Sequence, residues 1–234
     1  MNGDYIMNYL VWLYLAIFAV FTAAHLYASY IKKDSLRAPT KTVILLSVLG
    51  LYLEYMHFRG AEPSAFVVFA LTASWLGDVL LIPHGVKWFT AGGIAFGISH
   101  ILFILAYCES GIVFSAVDPV IAVIIALIYL SAVILIFSKL RNHLPGPLFY
   151  PMLAYLLVNG AMNVFAWLRL LSGSCTPASG IATVLGALMF FCSDCTLFFV
   201  RFNKNSRVKS HFLVMLTYCL GELLITAGFM LMTA

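Results

Sequence analysis

Charge is scarce in this chain of 234 residues: Lys, Arg, Asp and Glu supply 9% of it, against 63% hydrophobic residues and a mean hydropathy of +1.03. A soluble globule carries about a quarter charged residues, so that class is excluded. No long polar stretch, linker or low-complexity segment occurs, and the chain 1–234 reads as one transmembrane helical domain. No basic segment precedes the first apolar run, which starts Met1-Asn2-Gly3-Asp4, and no A-x-A-like site follows it, so a cleaved signal peptide is not expected. Five cysteines make no disulfide framework. Cys192, Cys195 and Cys219 fall inside apolar runs, while Cys108 and Cys175 share a side on which an oxidising exterior could pair them. Cys192-x-x-Cys195 has no second such pair and reads as small apolar fillers rather than metal ligands.

What remains is apolar sequence cut into crossing lengths of ~20 residues. The spans read as 9–31, 40–58, 64–82, 89–108, 119–138, 148–168, 181–200 and 212–232. The expected fold is therefore all-α: a polytopic integral membrane protein with about eight transmembrane helices in one bundle. The second span is the weakest, because Lys41 and Glu54 bracket it closely. Lys41 is expected to snorkel to the interface. Eleven of the 13 basic residues fall in alternate loops, after spans 1, 3, 5 and 7. Arg59 and Arg169 lie on the other side, together with Asp4, Glu54, Glu62, Glu109 and Asp118. The positive-inside rule then puts both termini outside, across the inner membrane if the source is bacterial. The net charge of +4 reflects this topology and contact with anionic headgroups, not nucleic-acid binding. The sequence leaves the oligomeric state open.

Against that background three carboxylates stand out. Asp78, Asp194 and Glu222 lie within apolar spans, where an ionisable group is costly and functional by default. Neither aspartate has a basic residue at i±3 or i±4 to neutralise it. Both spans run the same way, and the two acids fall about one and two turns above the cytoplasmic end. They are 116 residues apart, the offset that a parallel 4+4 repeat would give. Polar stripes occur on other spans: Thr22, His25 and Ser29; Tyr155, Asn159 and Asn163; Tyr218, Glu222 and Thr226; and His100 alone. With no water in the bilayer core these stripes should converge on a shared hydrated pocket in the cytoplasmic half. His25, Asn159 and Asn163 also read as ordinary interhelical hydrogen-bonding groups, and Gly92, Gly93 and Gly97 as close-packing positions.

The residues resemble the YhhN-like membrane proteins that include the lysoplasmalogenases. The family's two aspartate runs look like Gly77-Asp78-Val79-Leu80-Leu81 and Ser193-Asp194-Cys195-Thr196-Leu197 with Arg201-Phe202. Its Phe-x-x-Gly…Phe-x-x-x-His stretch is matched by Phe89, Gly92, Phe96 and His100. Its final Tyr-x-x-Ala-Gln appears as Tyr218-Cys219-Leu220-Gly221-Glu222, with Glu in place of the usual Gln.

The resemblance implies hydrolysis of the vinyl ether of a lysoplasmalogen to a fatty aldehyde and a glycerophospho-base. The expected partners are a lysophospholipid substrate and the membrane lipids, with no metal or other cofactor. Such an ether is cleaved by protonating its β-carbon, which needs one neutral acid and one nearby anion. Asp78 and Asp194 are the expected catalytic pair. His25, His100, Tyr155, Asn159, Asn163, Arg201, Tyr218 and Glu222 are the expected substrate-binding groups, with Arg201 two turns after Asp194 and suited to a phosphate. Two other functions fit the same polar residues. One is a proton-coupled transporter or lipid translocator running on Asp78, Asp194 and Glu222. The other is a zinc-dependent, ceramidase-like hydrolase using the histidines. The topology is testable at once. Cysteine labelling should place Asp4 and Ala234 on the side opposite Lys204, and finding Lys204 and Ala234 on one face would remove the eighth span.

Overall fold

The computed structural model describes residues 2–31, 33–203 and 211–232, with no side chains described for residues 2–8, Asp34 or Ser35. Lys32, Lys204, Arg207, Lys209 and Ala234, which enter the charge count or the labelling test, lie outside the described residues. Among those described there are eight α-helices and no strands. They are α1 (Asn2–Tyr30), α2 (Asp34–Phe58), α3 (Ala65–Leu80), α4 (Val86–Glu109), α5 (Pro119–Leu140), α6 (Phe149–Leu171), α7 (Pro177–Phe202) and α8 (His211–Met230). Each expected span coincides with one of them. Seven are long and apolar enough to cross a membrane, and the chain is a multi-pass membrane protein.

The exception is α3. Its 16 residues rise about 24 Å, short of a ~30 Å hydrocarbon core. It nevertheless runs between the same two ends as its neighbours. Ser64, which caps its start, donates a hydrogen bond to Glu109 at the end of α4, and Asp78 near its end meets Lys41 near the start of α2. The sequence reading carried this helix to residue 82, but Leu81 caps it and Pro83 follows. A proline disfavours helix in the residue before it, so the chain leaves the bundle early.

One end of the bundle is closed by local turn chemistry. α2, α4 and α6 are followed by Gly60, Gly111 and Gly173, all with positive φ, the conformation that glycine supplies when a helix must stop. The helices that follow begin on Ser64, Asp118 and Thr176, whose side chains accept from backbone amides one turn on. Arg169 seals this capped end. Read from sequence as a loop-side cation, it is instead wholly buried in α6. Its Nε donates to Ser110 Oγ at 3.0 Å, Nη1 to Thr183 Oγ1 at 2.7 Å and Nη2 to Ser179 Oγ at 2.8 Å. The guanidinium carbon also stands 5.0 Å from the Phe229 ring centroid. One side chain thereby ties the end of α4 to α6, α7 and α8 through neutral acceptors.

The helices pack as hairpins, α1 on α2, α3 on α4, α5 on α6 and α7 on α8. The closest of these contacts rest on glycine. A Cβ added at Gly186 would lie 2.6 Å from the backbone nitrogen of Ile225 and 2.7 Å from the Gly221 carbonyl oxygen, so α7 and α8 touch backbone to backbone. Of the glycines expected to pack closely, Gly92 does, against Leu81 and the Gly77 carbonyl oxygen, but Gly93 faces open space. Substitutions should separate the two. Gly186→Ala should lower thermal stability in detergent by about 1–3 kcal/mol through overpacking. Gly93→Ala should raise it by up to ~1 kcal/mol through helix propensity alone. Equal melting temperatures for the two variants would refute this packing.

Candidate active site

The other end of the bundle is open. A cavity of about 420 Å³ lies among the ends of α1, α2, α3, α4, α7 and α8, and both Asp78 and Asp194 line it. Such a volume falls within the range of small-molecule sites. His25, Tyr218 and Arg201 share the lining, as do Arg37, Lys41, His84 and His211.

Asp78 is brought there by a local sequence with a packing reason. Gly77 lets the ring of Phe96 press against α3, and Phe96 becomes a wall of the cavity. One turn earlier Ser74 Oγ bonds Ser99 Oγ at 2.8 Å and fixes α3 on α4. Asp78 Oδ2 accepts from the Tyr218 hydroxyl at 2.9 Å, and Oδ1 lies 2.9 Å from Lys41 Nζ. This ion pair revises the sequence reading twice. Lys41 turns inward instead of snorkelling, and the aspartate without a cation on its own helix finds one on the next. The topology carried the signal, since the start of α2 and the end of α3 must meet at one end.

Asp194 has a different set of partners. Ser193 Oγ donates to the Val214 carbonyl at 2.8 Å and pins α7 to α8 beside it. Asp194 Oδ2 accepts from Tyr155 Oη at 2.5 Å and from Asn159 Nδ2 at 2.7 Å. His100 Nε2 is 3.1 Å from the Tyr155 hydroxyl and 3.4 Å from the same carboxylate oxygen. Since the Tyr155 proton points at Asp194, His100 donates from Nε2, and its Nδ1 is left without a partner. Asn163 Nδ2 donates to the Asn159 carbonyl and side-chain oxygens at 3.0 and 3.2 Å, which aims the Asn159 amide at Asp194.

The expected binding residues therefore fall in two layers. His25, Arg201 and Tyr218 reach the cavity. His100, Tyr155, Asn159 and Asn163 stand behind Asp194 and hold it. Glu222 is deeper again, wholly buried one turn from Tyr218. Neither of its oxygens makes a hydrogen bond of good geometry, and the Ser74 hydroxyl is beside it. His25 Nδ1 donates to Thr40 Oγ1 at 2.9 Å, because the Thr40 proton is already directed at backbone carbonyls. Arg201 sits over Phe89, 5.8 Å from its ring centroid, on the rim.

The two half-sites correspond. Exchanging the four-helix halves carries α3 to α7, α2 to α6 and α8 to α4. Asp78 on α3 has partners on α2 and α8, and Asp194 on α7 has partners on α6 and α4. A parallel duplication would produce this arrangement. Among the described residues all five cysteines are free, and no three His, Cys, Asp or Glu side chains are grouped to hold a metal ion.

Asn159 is the keystone of the second half-site. Asn159→Leu leaves Asp194 one donor short and the Asn163 amide without its side-chain acceptor. The expected loss is about 1–3 kcal/mol of stability in a detergent melt, and an unchanged melt would contradict the network. A model of the YhhN family matches residues 36–229. No curated protein and no solved structure matches the chain.

Proposed function

The chain belongs to the YhhN family, and we propose that it hydrolyses the vinyl ether bond of lysoplasmalogens, the alkenyl-glycerophosphocholines or -ethanolamines. The observation that carries this reading is the presence of two carboxyls, from separate helices, on one cavity. Vinyl ether hydrolysis needs a proton delivered to carbon and a negative charge near the oxocarbenium ion that results. Paired carboxyls divide the same labour in glycoside hydrolysis.

The surroundings support a single-chain phospholipid as substrate. Arg37, Lys41 and Arg201 give the cavity a basic lining that complements a phosphodiester. Apolar residues Leu81, Phe89, Phe96, Leu197 and Met215 supply the remaining wall. The mouth lies at the end that carries most of the basic residues. By the positive-inside rule that end is cytoplasmic, and both termini are outside. The ether of a lipid lying with its chain among the helices would then sit near headgroup level, beside the acids.

Purified protein in detergent, with no gradient imposed, should release aldehyde from choline and ethanolamine lysoplasmalogens. It should leave their alkyl-ether and ester analogues intact, and exhaustive chelation should not slow it. Asp78→Asn and Asp194→Asn should each lower kcat by about 100-fold or more, with the double variant little worse because the pair acts as a unit. Glu222→Gln should retain substantial activity. A folded single aspartate variant with a near-normal rate would refute the proposal, and activity restored only by zinc would move it to the histidines.

A further inference from the structure

Two carboxyls that share a cavity do not ionise independently, and a fixed cation decides which of them holds the charge. Asp78 and Asp194 line one cavity, and their partners differ in kind. Asp78 has both oxygens engaged, one by the ammonium of Lys41 at 2.9 Å and one by Tyr218 at 2.9 Å. It has the partners of a carboxylate. Asp194 has no lysine or arginine partner: Tyr155 and Asn159 donate to Oδ2, and His100 Nε2 stands 3.4 Å from the same oxygen. His100 Nδ1, on the far side of the ring, has no hydrogen-bond partner. Among the described residues the partners of Asp194 all stand at Oδ2 and none at Oδ1, and the residue lines the cavity. A carboxylic acid would be arranged this way, with its carbonyl oxygen accepting two hydrogen bonds and its O–H directed at substrate.

We infer that Asp194 is the proton donor, that Asp78 is the standing anion, and that Lys41 is a positioning residue which fixes this division. The chemical part of the inference rests on the vinyl ether reading above. Asp194 transfers the Oδ1 proton to the β-carbon, and the π pair becomes the new C–H bond. The α-carbon is left as an oxocarbenium ion facing the Asp78 carboxylate. Water adds to that carbon and gives up a proton to Asp78, forming the hemiacetal. Asp194, now anionic, removes the hemiacetal hydroxyl proton as the C=O forms. The bond to the glycerol oxygen breaks, and that oxygen takes the proton held by Asp78. Aldehyde and alcohol leave, and both carboxyls return to their starting states.

Infrared spectroscopy reads this division without requiring turnover. The C=O stretch of a protonated carboxyl is separate from carboxylate and amide bands, and a maltoside detergent adds no ester carbonyl. Asp194→Asn should remove one protonated-carboxyl component, and Asp78→Asn should leave it in place. Glu222→Gln identifies whatever that residue contributes. Lys41→Met should add a component that disappears again in Lys41→Met/Asp78→Asn. In the aldehyde assay Lys41→Met should lower kcat about 10-fold or more with little change in KM, and Lys41→Arg should recover most of the rate. Loss of the band in Asp78→Asn but not in Asp194→Asn reverses the roles and overturns the inference. So does the absence of any Asp194 component, or a Lys41→Met variant with raised KM and normal kcat, which would make Lys41 a headgroup ligand. If the wild-type protein releases no aldehyde but the bands behave as stated, the charge assignment stands and the vinyl ether reading falls.

Discussion

Hydrocarbon offers no hydrogen bonds, so every polar group that this chain carries into the bilayer must find its partner inside the bundle. The two ends meet that constraint in opposite ways. At the capped end Arg169 is wholly buried among hydroxyls, carbonyls and an aromatic face. At the open end Tyr155 and Asn159 hold Asp194 from behind, Tyr218 and Lys41 hold Asp78 from the cavity wall, and both acids face the cavity. A closed polar cluster is a cross-link, whereas one with an unmatched face is a site.

The cavity depends on how closely the helices approach elsewhere. Gly77 and Gly92 bring α3 and α4 together beside Asp78, and Gly186 and Gly221 do the same for α7 and α8 above Asp194. Because these pairs are tight, Phe96 and Tyr218 are driven into the space between them, where their rings meet edge to face at 5.8 Å. The shortness of α3 adds the opening, since Leu81 to His84 leave the bundle and line the mouth. Packing at glycine thus fixes where the wall stands, and an early helix end fixes where it stops.

Much of this was legible in the sequence. The spans follow from hydropathy and from the charges, prolines and glycines that bracket them, and the aspartates were conspicuous because an uncompensated acid in an apolar run violates the solvent's rule. The stripe Tyr155, Asn159, Asn163 correctly announced an inward face. Other features depended on which helix lies beside which. Lys41 read as an interfacial lysine because it stands near a helix start, and only the α2–α3 contact turns it onto Asp78. Arg169 looked like a loop cation because its acceptors come from three other helices. Whether Asn159 and Asn163 touch a ligand or brace Asp194 is a matter of depth, and periodicity gives direction around a helix but not layer.

The proposed reaction turns on a proton placed on carbon by a buried carboxyl. Turnover of a lysoplasmalogen in deuterium oxide tests that step directly, with the released aldehyde analysed by mass spectrometry against a control for solvent exchange. The account predicts one deuterium on the carbon next to the carbonyl, and a rate slower than in ordinary water. An aldehyde carrying no deuterium at that carbon, formed at an unchanged rate, would contradict it.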